Sequence, residues 1–319
     1  MKKKAFGYIL IAVGVIFSIF LIRAALLYLR HGVNERTDVV TESTTEAGTD
    51  ASTESGFPFV ELLGANSATV HIIDVGQGNA ILIQDHGHNL LYDCGNYDTS
   101  DYLVKYLRKQ GVISFDYVVL SHYDADHCAA APTIFEKFIV SSIIEPDYEH
   151  DTETYKHVME AQRFLDVKHP SIGDTYMLGD GIVTVICPTD YDFEEGNNNS
   201  VGIRYESNGH SILLTGDAEV ESEYDFLEYD KEHDIELDSD IYLAGHHGSN
   251  SSSTNSLLDA VSPEIAVISV GKDNEYGHPK EEVLERLKEH GAEIYRTDEQ
   301  GTIVFDFTGE EITQSNVAK

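Results

Sequence analysis

Cysteine and basic side chains are what this chain has least of. Three cysteines, Cys94, Cys128 and Cys187, lie scattered through 319 residues, and no disulfide framework follows from such spacing. Lysine and arginine number 21 against 56 aspartates and glutamates, a net charge of −35. Nearly all of that imbalance falls after residue 61. General electrostatic binding to nucleic acid rests on phosphate contacts by Lys and Arg, so the composition disfavours it. A site in which bound metal ions supply the positive charge stays open. No repeat recurs at a solenoid period.

Long apolar runs are confined to the start. Met1-Lys2-Lys3-Lys4 precedes an uncharged stretch from Ala5 to Ile22, and after Arg23 the run Ala24 to Leu29 is apolar again. Such a length suffices to cross a bilayer as a helix, and the preceding lysines place the N-terminus in the cytoplasm. The stretch is long for a cleaved signal peptide and no small-x-small site follows it. An uncleaved single-pass anchor is therefore expected over 1–32, with the folded part held at the cell membrane on its extracytoplasmic side; cleavage would make it secreted instead. Residues 33–64, rich in Thr, Ser and Glu, are expected as a disordered linker. The folded domain is expected over 65–309, with a tail at 310–319.

Within that domain, Thr69–Asp74, Ala80–Ile83 and Asn89–Asp93 read as a β-meander with Gly-rich turns. Gly76-Gln77-Gly78 is followed by a strand and has no third glycine, which removes a dinucleotide-binding reading. Helices are expected over Ser100–Gln110, Ala129–Phe138 and Lys280–His290. Further strands are expected at Tyr117–Leu120, Ile182–Ile186, Val201–Tyr205, Ser211–Thr215, Ile241–Ala244, Ile265–Val270 and Gly301–Phe307. Two groups of strands interspersed with helices predict an α+β fold of two packed sheets with helices outside.

The densest chemistry is His122-Tyr-Asp124-Ala-Asp126-His127, four potential metal ligands directly after an apolar strand. In an extended loop alternate side chains share a side, so His122, Asp124 and Asp126 are expected to converge. His127 is expected to face a second metal position, roughly 3.5–4 Å away. A polar surface loop is the plain alternative for an isolated HxD or DH pair; four ligand types at this spacing favour metal. Leu213-Leu-Thr-Gly-Asp217 places a carboxylate that can bridge two cations, although turns use Gly-Asp often. Ala244-Gly-His246-His247-Gly-Ser249 repeats the scheme with histidine. His278 precedes a helix and suits a capping or packing role as well as a functional one. Cys128 suits a small buried thiol better than a ligand.

Together these motifs resemble the metallo-β-lactamase superfamily, with Asp124 standing where the HxHxDH signature has its second histidine. IDVGQGNAILI, LLYDCG, LSHYDADH, NNNSVGIRY, LLTGDAE, GHHGSNSSS and ISVGKDNEYGHP, in that order, are similar to the C-terminal hydrolase domain of ComEC-type competence proteins. The resemblance implies an αββα sandwich binding two divalent metal ions (Zn, Mn or Mg). It assigns His122 and Asp124 to one ion and Asp126, His127 and His246 to the other, with Asp217 bridging. Asp126 and Asp217 would be the catalytic carboxylates, and Asp74 would orient the ligand loop. Many members carry a further histidine where this chain reads Asn197-Asn-Asn-Ser200. Asn199 or Ser200 would then supply an oxygen or bind substrate, while His247 and His278 would support the ligands or bind substrate.

Fewer imidazoles and more oxygens shift the preference from Zn towards Mn or Mg. The activity implied is hydrolysis by a hydroxide shared between the metals, on a phosphodiester that includes DNA or RNA; no protein partner is evident. Hydrolysis of a cell-surface phosphoester of the choline or teichoic-acid type, or an inactive metal-binding module, are the alternatives.

Overall fold

Strict alternation gives the early strands two different apolar faces, and that dictates a sheet covered on both sides. The computed structural model describes residues 67–194 and 196–317. The expected anchor and linker lie outside these residues. Among the described residues no helix is long and apolar enough to cross a membrane. Strands β1 (Ala68–Ile72), β2 (Ile81–Asp85) and β3 (His88–Tyr92) form the expected antiparallel meander. Ile81, Ile83, Leu90 and Tyr92 face the centre of the molecule, while Leu82 and Leu91 face an outer layer of helices.

Helix α1 (Ser100–Lys109) buries Leu103, Val104, Tyr106 and Leu107 as one stripe against that outer face. It leads into β4 (Ser114–Val119). A one-turn α2 (Ala125–Cys128) precedes the helix expected over Ala129–Phe138, which is α3 (Ala131–Lys137) and carries Pro132 in its first turn, where the missing N–H costs nothing. Strand β5 (Ile139–Ile144), helix α4 (Glu153–Gln162) and the two-residue β6 (Val167–Lys168) continue the sheet, and β3 to β6 run parallel.

The second sheet has the same plan. Strands β7 (Thr175–Leu178), β8 (Gly181–Cys187), β9 (Gly202–Ser207) and β10 (His210–Leu214) are antiparallel neighbours. Helix α5 (Val220–His233) then leads to β11 (Ile241–Leu243), α6 (Asn255–Val261) to β12 (Ile265–Ile268), and α7 (Glu281–Glu289) to β13 (Glu293–Arg296), all in parallel from β10 onward. After α8 (Thr297–Gln300) the chain returns to the first sheet, where β14 (Thr302–Asp306) pairs with β1. The residues expected as a tail supply the polar edge strand β15 (Thr313–Val317).

The orders are β15-β14-β1-β2-β3-β4-β5-β6 and β13-β12-β11-β10-β9-β8-β7. Val70, Ile72, Tyr92 and Val119 meet Val185, Ile203, Leu214 and Leu243 between the sheets. A second apolar layer joins α1, α3 and the first sheet, and a third joins α5, α6, α7 and the second. This is the expected αββα sandwich. Tyr92 spans the central layer and donates its hydroxyl to Val201 O at 2.8 Å. The C-terminal ends of β3, β4, β10, β11 and β12 meet at one rim, the usual place for a ligand site beside parallel strands.

Candidate metal centre

The loop after β4 is extended only at its beginning. His122 and Asp124 lie on one side as alternation demands, with Nε2 and Oδ2 3.8 Å apart. Asp126 and His127 then fall on the first turn of α2, so their side chains are set by helical geometry and not by the expected alternation. Asp124 is exposed, and its pairing with His122 holds its carboxyl below the usual range.

Two glycines let neighbouring backbones close in on this loop. A Cβ at Gly78 would collide with the carbonyl of Asp126, and Asn79 N–H donates to that same carbonyl at 3.1 Å. Gly216, at φ 56°, would drive a Cβ into the side chain of Ser121. The IDVGQGNA and LLTGD motifs are thus seats for the ligand loop. Asp74 accepts from Gly76 N–H at 3.0 Å and shapes the turn that carries Gly78.

Three imidazoles are locked by their Nδ1 atoms. His127 Nδ1 donates to Asp93 Oδ2 at 2.7 Å, and His247 Nδ1 donates to Ser269 O at 2.9 Å. Ser121 gives its hydroxyl proton to Asp93 at 2.8 Å, so its oxygen accepts from His122 Nδ1 at 3.0 Å. In its neutral form each ring then turns a lone pair at Nε2 inward. His127 Nε2 lies 3.2 Å from Asp217 Oδ1 and 3.1 Å from His247 Nε2, which is itself 3.3 Å from Asp126 Oδ2 and 3.6 Å from Asp217 Oδ2. His122, His127 and Asp217 form one group whose atoms converge closely enough for a metal ion; Asp126, His127 and His247 form another.

His122, His127, Asp217 and His247 are all buried. Burial opposes charge on the Asp126 and Asp217 carboxyls, yet the facing histidines hold both below their usual range. Burial likewise opposes the imidazolium of His127, and Asp217 with Asp93 outweighs it, raising that ring well above 6.5. His122 Nε2 and Asp217 Oδ1 are buried without a hydrogen-bond partner. Lone pairs and carboxylates crowded together, with orphaned acceptors among them, fit a divalent cation.

The resemblance assigned the late ligand to His246; the structure brings His247 to that position. His246, His247 and Gly248 have φ of 49°, 54° and 79°, three successive left-handed residues. That tight turn sends His247 inward. His246 stays at the mouth, its Nδ1 3.0 Å from Glu219 and its Nε2 3.7 Å from Asp217. His278 stands 5.8 Å from the His246 ring, and burial lowers its imidazole to about 4.

Ser200, expected to supply an oxygen or bind substrate, lies behind the site. Its oxygen lies 3.4 Å from His122 Nδ1 and accepts from Asp217 N–H at 3.2 Å. Asn199 turns the other way and bonds Phe193 O and N–H. Its neighbour Asn198 accepts from Glu219 N–H at 3.0 Å. Sequence reasoning missed Asp93, Ser121 and Glu219; the Asp-Cys-Gly ending of β3 was the available signal for the first.

The sequence model of the metallo-beta-lactamase superfamily matches residues 73–272. The chain is 27% identical over 263 residues to ComE operon protein 3 of Bacillus subtilis (strain 168), an alignment covering 76% of this chain and 33% of that protein. It is 32% identical over 247 residues to competence protein ComA of Neisseria gonorrhoeae, covering 77% and 33%. The chain thus spans about a third of the length of these relatives. Among solved structures, CmlA, a diiron beta-hydroxylase from Streptomyces venezuelae, superposes with a TM-score of 0.51 at 11% identity over 79% of this chain and 54% of that one. The metallo-beta-lactamase fold protein YhfI from Bacillus subtilis gives 0.50 at 13% identity, covering 75% and 99%. These two likenesses concern the fold.

Proposed function

Because the chain belongs to the metallo-beta-lactamase superfamily, with a candidate His/Asp metal site, we propose that it is a dinuclear metal-dependent phosphodiesterase, and a nuclease in particular. The observation that carries this reading is the convergence of three inward Nε2 atoms on the shared carboxylate Asp217. His122, Asp124 and Asp217 would hold one divalent ion; Asp126, His127, His247 and Asp217 would hold the other. When bound, such ions polarise a phosphoryl oxygen and lower the pKa of a water.

The chain's own residues do the positioning. Asp93, Ser121 and the Ser269 carbonyl fix the three rings through Nδ1, which keeps their lone pairs on target and raises ligand basicity. His246, steadied at Nδ1 by Glu219 and by Ser251 at 3.3 Å, stands at the mouth, where its ring borders the space an incoming phosphoryl group would take. Tyr276 is exposed and stacks on His278 at 5.8 Å beside His246. A planar face there suits a nucleobase next to the scissile phosphate.

Kinship with competence proteins supports nucleic acid as substrate, and the apolar N-terminal sequence supports action at the extracytoplasmic membrane surface. The net charge of −35 favours a second reading, a less anionic phosphoester of the cell surface. Incubating the full chain with Mn, Mg or Zn separates the two. DNA or RNA cleavage, absent in Asp126→Ala, supports the nuclease. Release of phosphoester groups from wall polymer with nucleic acid intact supports the alternative.

A further inference from the structure

Behind the ligand loop, at the C-terminal end of β5, lies a pocket of about 510 Å³ that the hydrolytic reading does not use. Tyr123, Tyr148 and Tyr155 supply aromatic walls, with the Tyr123 ring centroid 5.0 Å from that of Tyr148 and 4.8 Å from that of Tyr155. Met159 adds a flexible apolar surface, and Glu145 and Gln162 complete the inner lining. Glu145 is 2% exposed and Gln162 is 4% exposed.

The hydrogen bonding of those two side chains is unbalanced in one direction. Gln162 Nε2 donates to Glu145 Oε1 at 2.7 Å. Glu145 Oε2 and Gln162 Oε1 are buried and have no partner. The Tyr123 hydroxyl beside the carboxylate gives its proton to Pro146 O at 2.8 Å. The pocket therefore holds two orphaned acceptors, and burying an acceptor without a donor is unfavourable. What is missing is a group carrying several N–H donors. Asp147 and Glu149, both exposed, add negative charge to the lining. Of the facing cations, Arg163 is paired with Glu160, and His169 directs Nδ1 to Glu145 O at 3.3 Å.

We propose that this pocket binds an aliphatic polyamine. One terminal ammonium donates to Glu145 Oε2 and Gln162 Oε1, the methylenes lie on the tyrosine rings and Met159, and a second ammonium meets Asp147 or Glu149. Aromatic faces attract such cations, and three carboxylates select for more than one positive charge. Burial raises the Glu145 carboxyl to about 7, and a bound cation would bring it back down. The proposal does not depend on the metal centre. It does place a ligand against Tyr123, the residue between His122 and Asp124.

Calorimetric titration of the full chain with spermidine tests it, with 1,8-octanediol as the neutral counterpart. Added salt at 0.3 M suppresses diffuse attraction to the acidic surface. The expected result is one saturable site, no binding of the diol, at least tenfold weaker binding in Glu145→Gln, and a twofold to fivefold loss in Asp147→Asn. Absence of a saturable site, equal binding of the diol, or unchanged affinity in both variants overturns the proposal. Asp147 is exposed, so its variant reports on the charge of the pocket mouth independently of the buried Glu145–Gln162 pair.

Discussion

His127 and His247 face each other through Nε2 atoms 3.1 Å apart, and each ring has its Nδ1 hydrogen committed elsewhere. Neutral rings in that pose present lone pair to lone pair, so only a proton or a metal ion makes the contact favourable. On the proposed reading, a cation would sit between these two rings, with His247 and not His246 facing it.

The first prediction separates those histidines. His247→Ala removes a group that faces Asp126, His127 and Asp217 together, and should cost one of the two bound ions. His246→Ala should leave metal content unchanged and lower turnover. Metal analysis after gel filtration reads both; the reverse pattern would restore His246 as the ligand.

Asp93→Asn tests the support beneath His127. The carboxylate receives His127 Nδ1 at 2.7 Å and the Ser121 N–H and hydroxyl at 2.8 Å each. Loss of such a partner typically weakens metal affinity by about 10–100-fold. Competition with a chelating dye measures it, and an affinity within twofold of the wild type would mean that the ring is held by other contacts.

Gly78→Ala should destabilise the fold by about 1–3 kcal/mol, the range expected when a core position is overfilled against rigid backbone. The clash is with the Asp126 carbonyl, and Gly78 also has φ 130°. Urea denaturation reads the loss. Gly87→Ala, where nothing lies within reach of a Cβ, keeps only the cost of its positive φ and should lose less.

Glu145 gives stability a pH dependence of known sign. Its carboxyl is raised from 4.5 to about 7 in the folded chain by burial. Between those values the folded state keeps a proton that the unfolded state releases, so this group's contribution falls as pH rises through that window and then levels. Glu145→Gln removes the penalty and should gain about 1–3 kcal/mol at pH 8 and little at pH 4. Equal melting shifts at both pH values would show that the carboxyl ionises normally.

Local signals made the site half legible. The four candidate ligands of the HYDADH loop fall in one six-residue stretch soon after a strand, so spacing alone brought them forward. His247 was hidden because its inward direction depends on three consecutive left-handed residues, which no periodicity announces. Asp93 was hidden because only the pairing of β3 with β4 brings it to a histidine 34 residues later. In the fold, the strands with two apolar faces were read correctly. Helix α5 was not, because Ser222 and Glu223 share its buried stripe with Phe226 and Leu227. Strand β15 reads as a polar tail because it is a sheet edge.

The central claim is a dinuclear hydrolytic centre organised around Asp217. Hydrolysis of bis(p-nitrophenyl) phosphate by the metal-free full chain, titrated with Mn, tests it most directly. The account predicts activity that rises to a plateau near two equivalents and is lost in Asp217→Ala together with tight metal binding. A fully metal-loaded protein without hydrolysis, or an Asp217→Ala variant with undiminished rate, would contradict it.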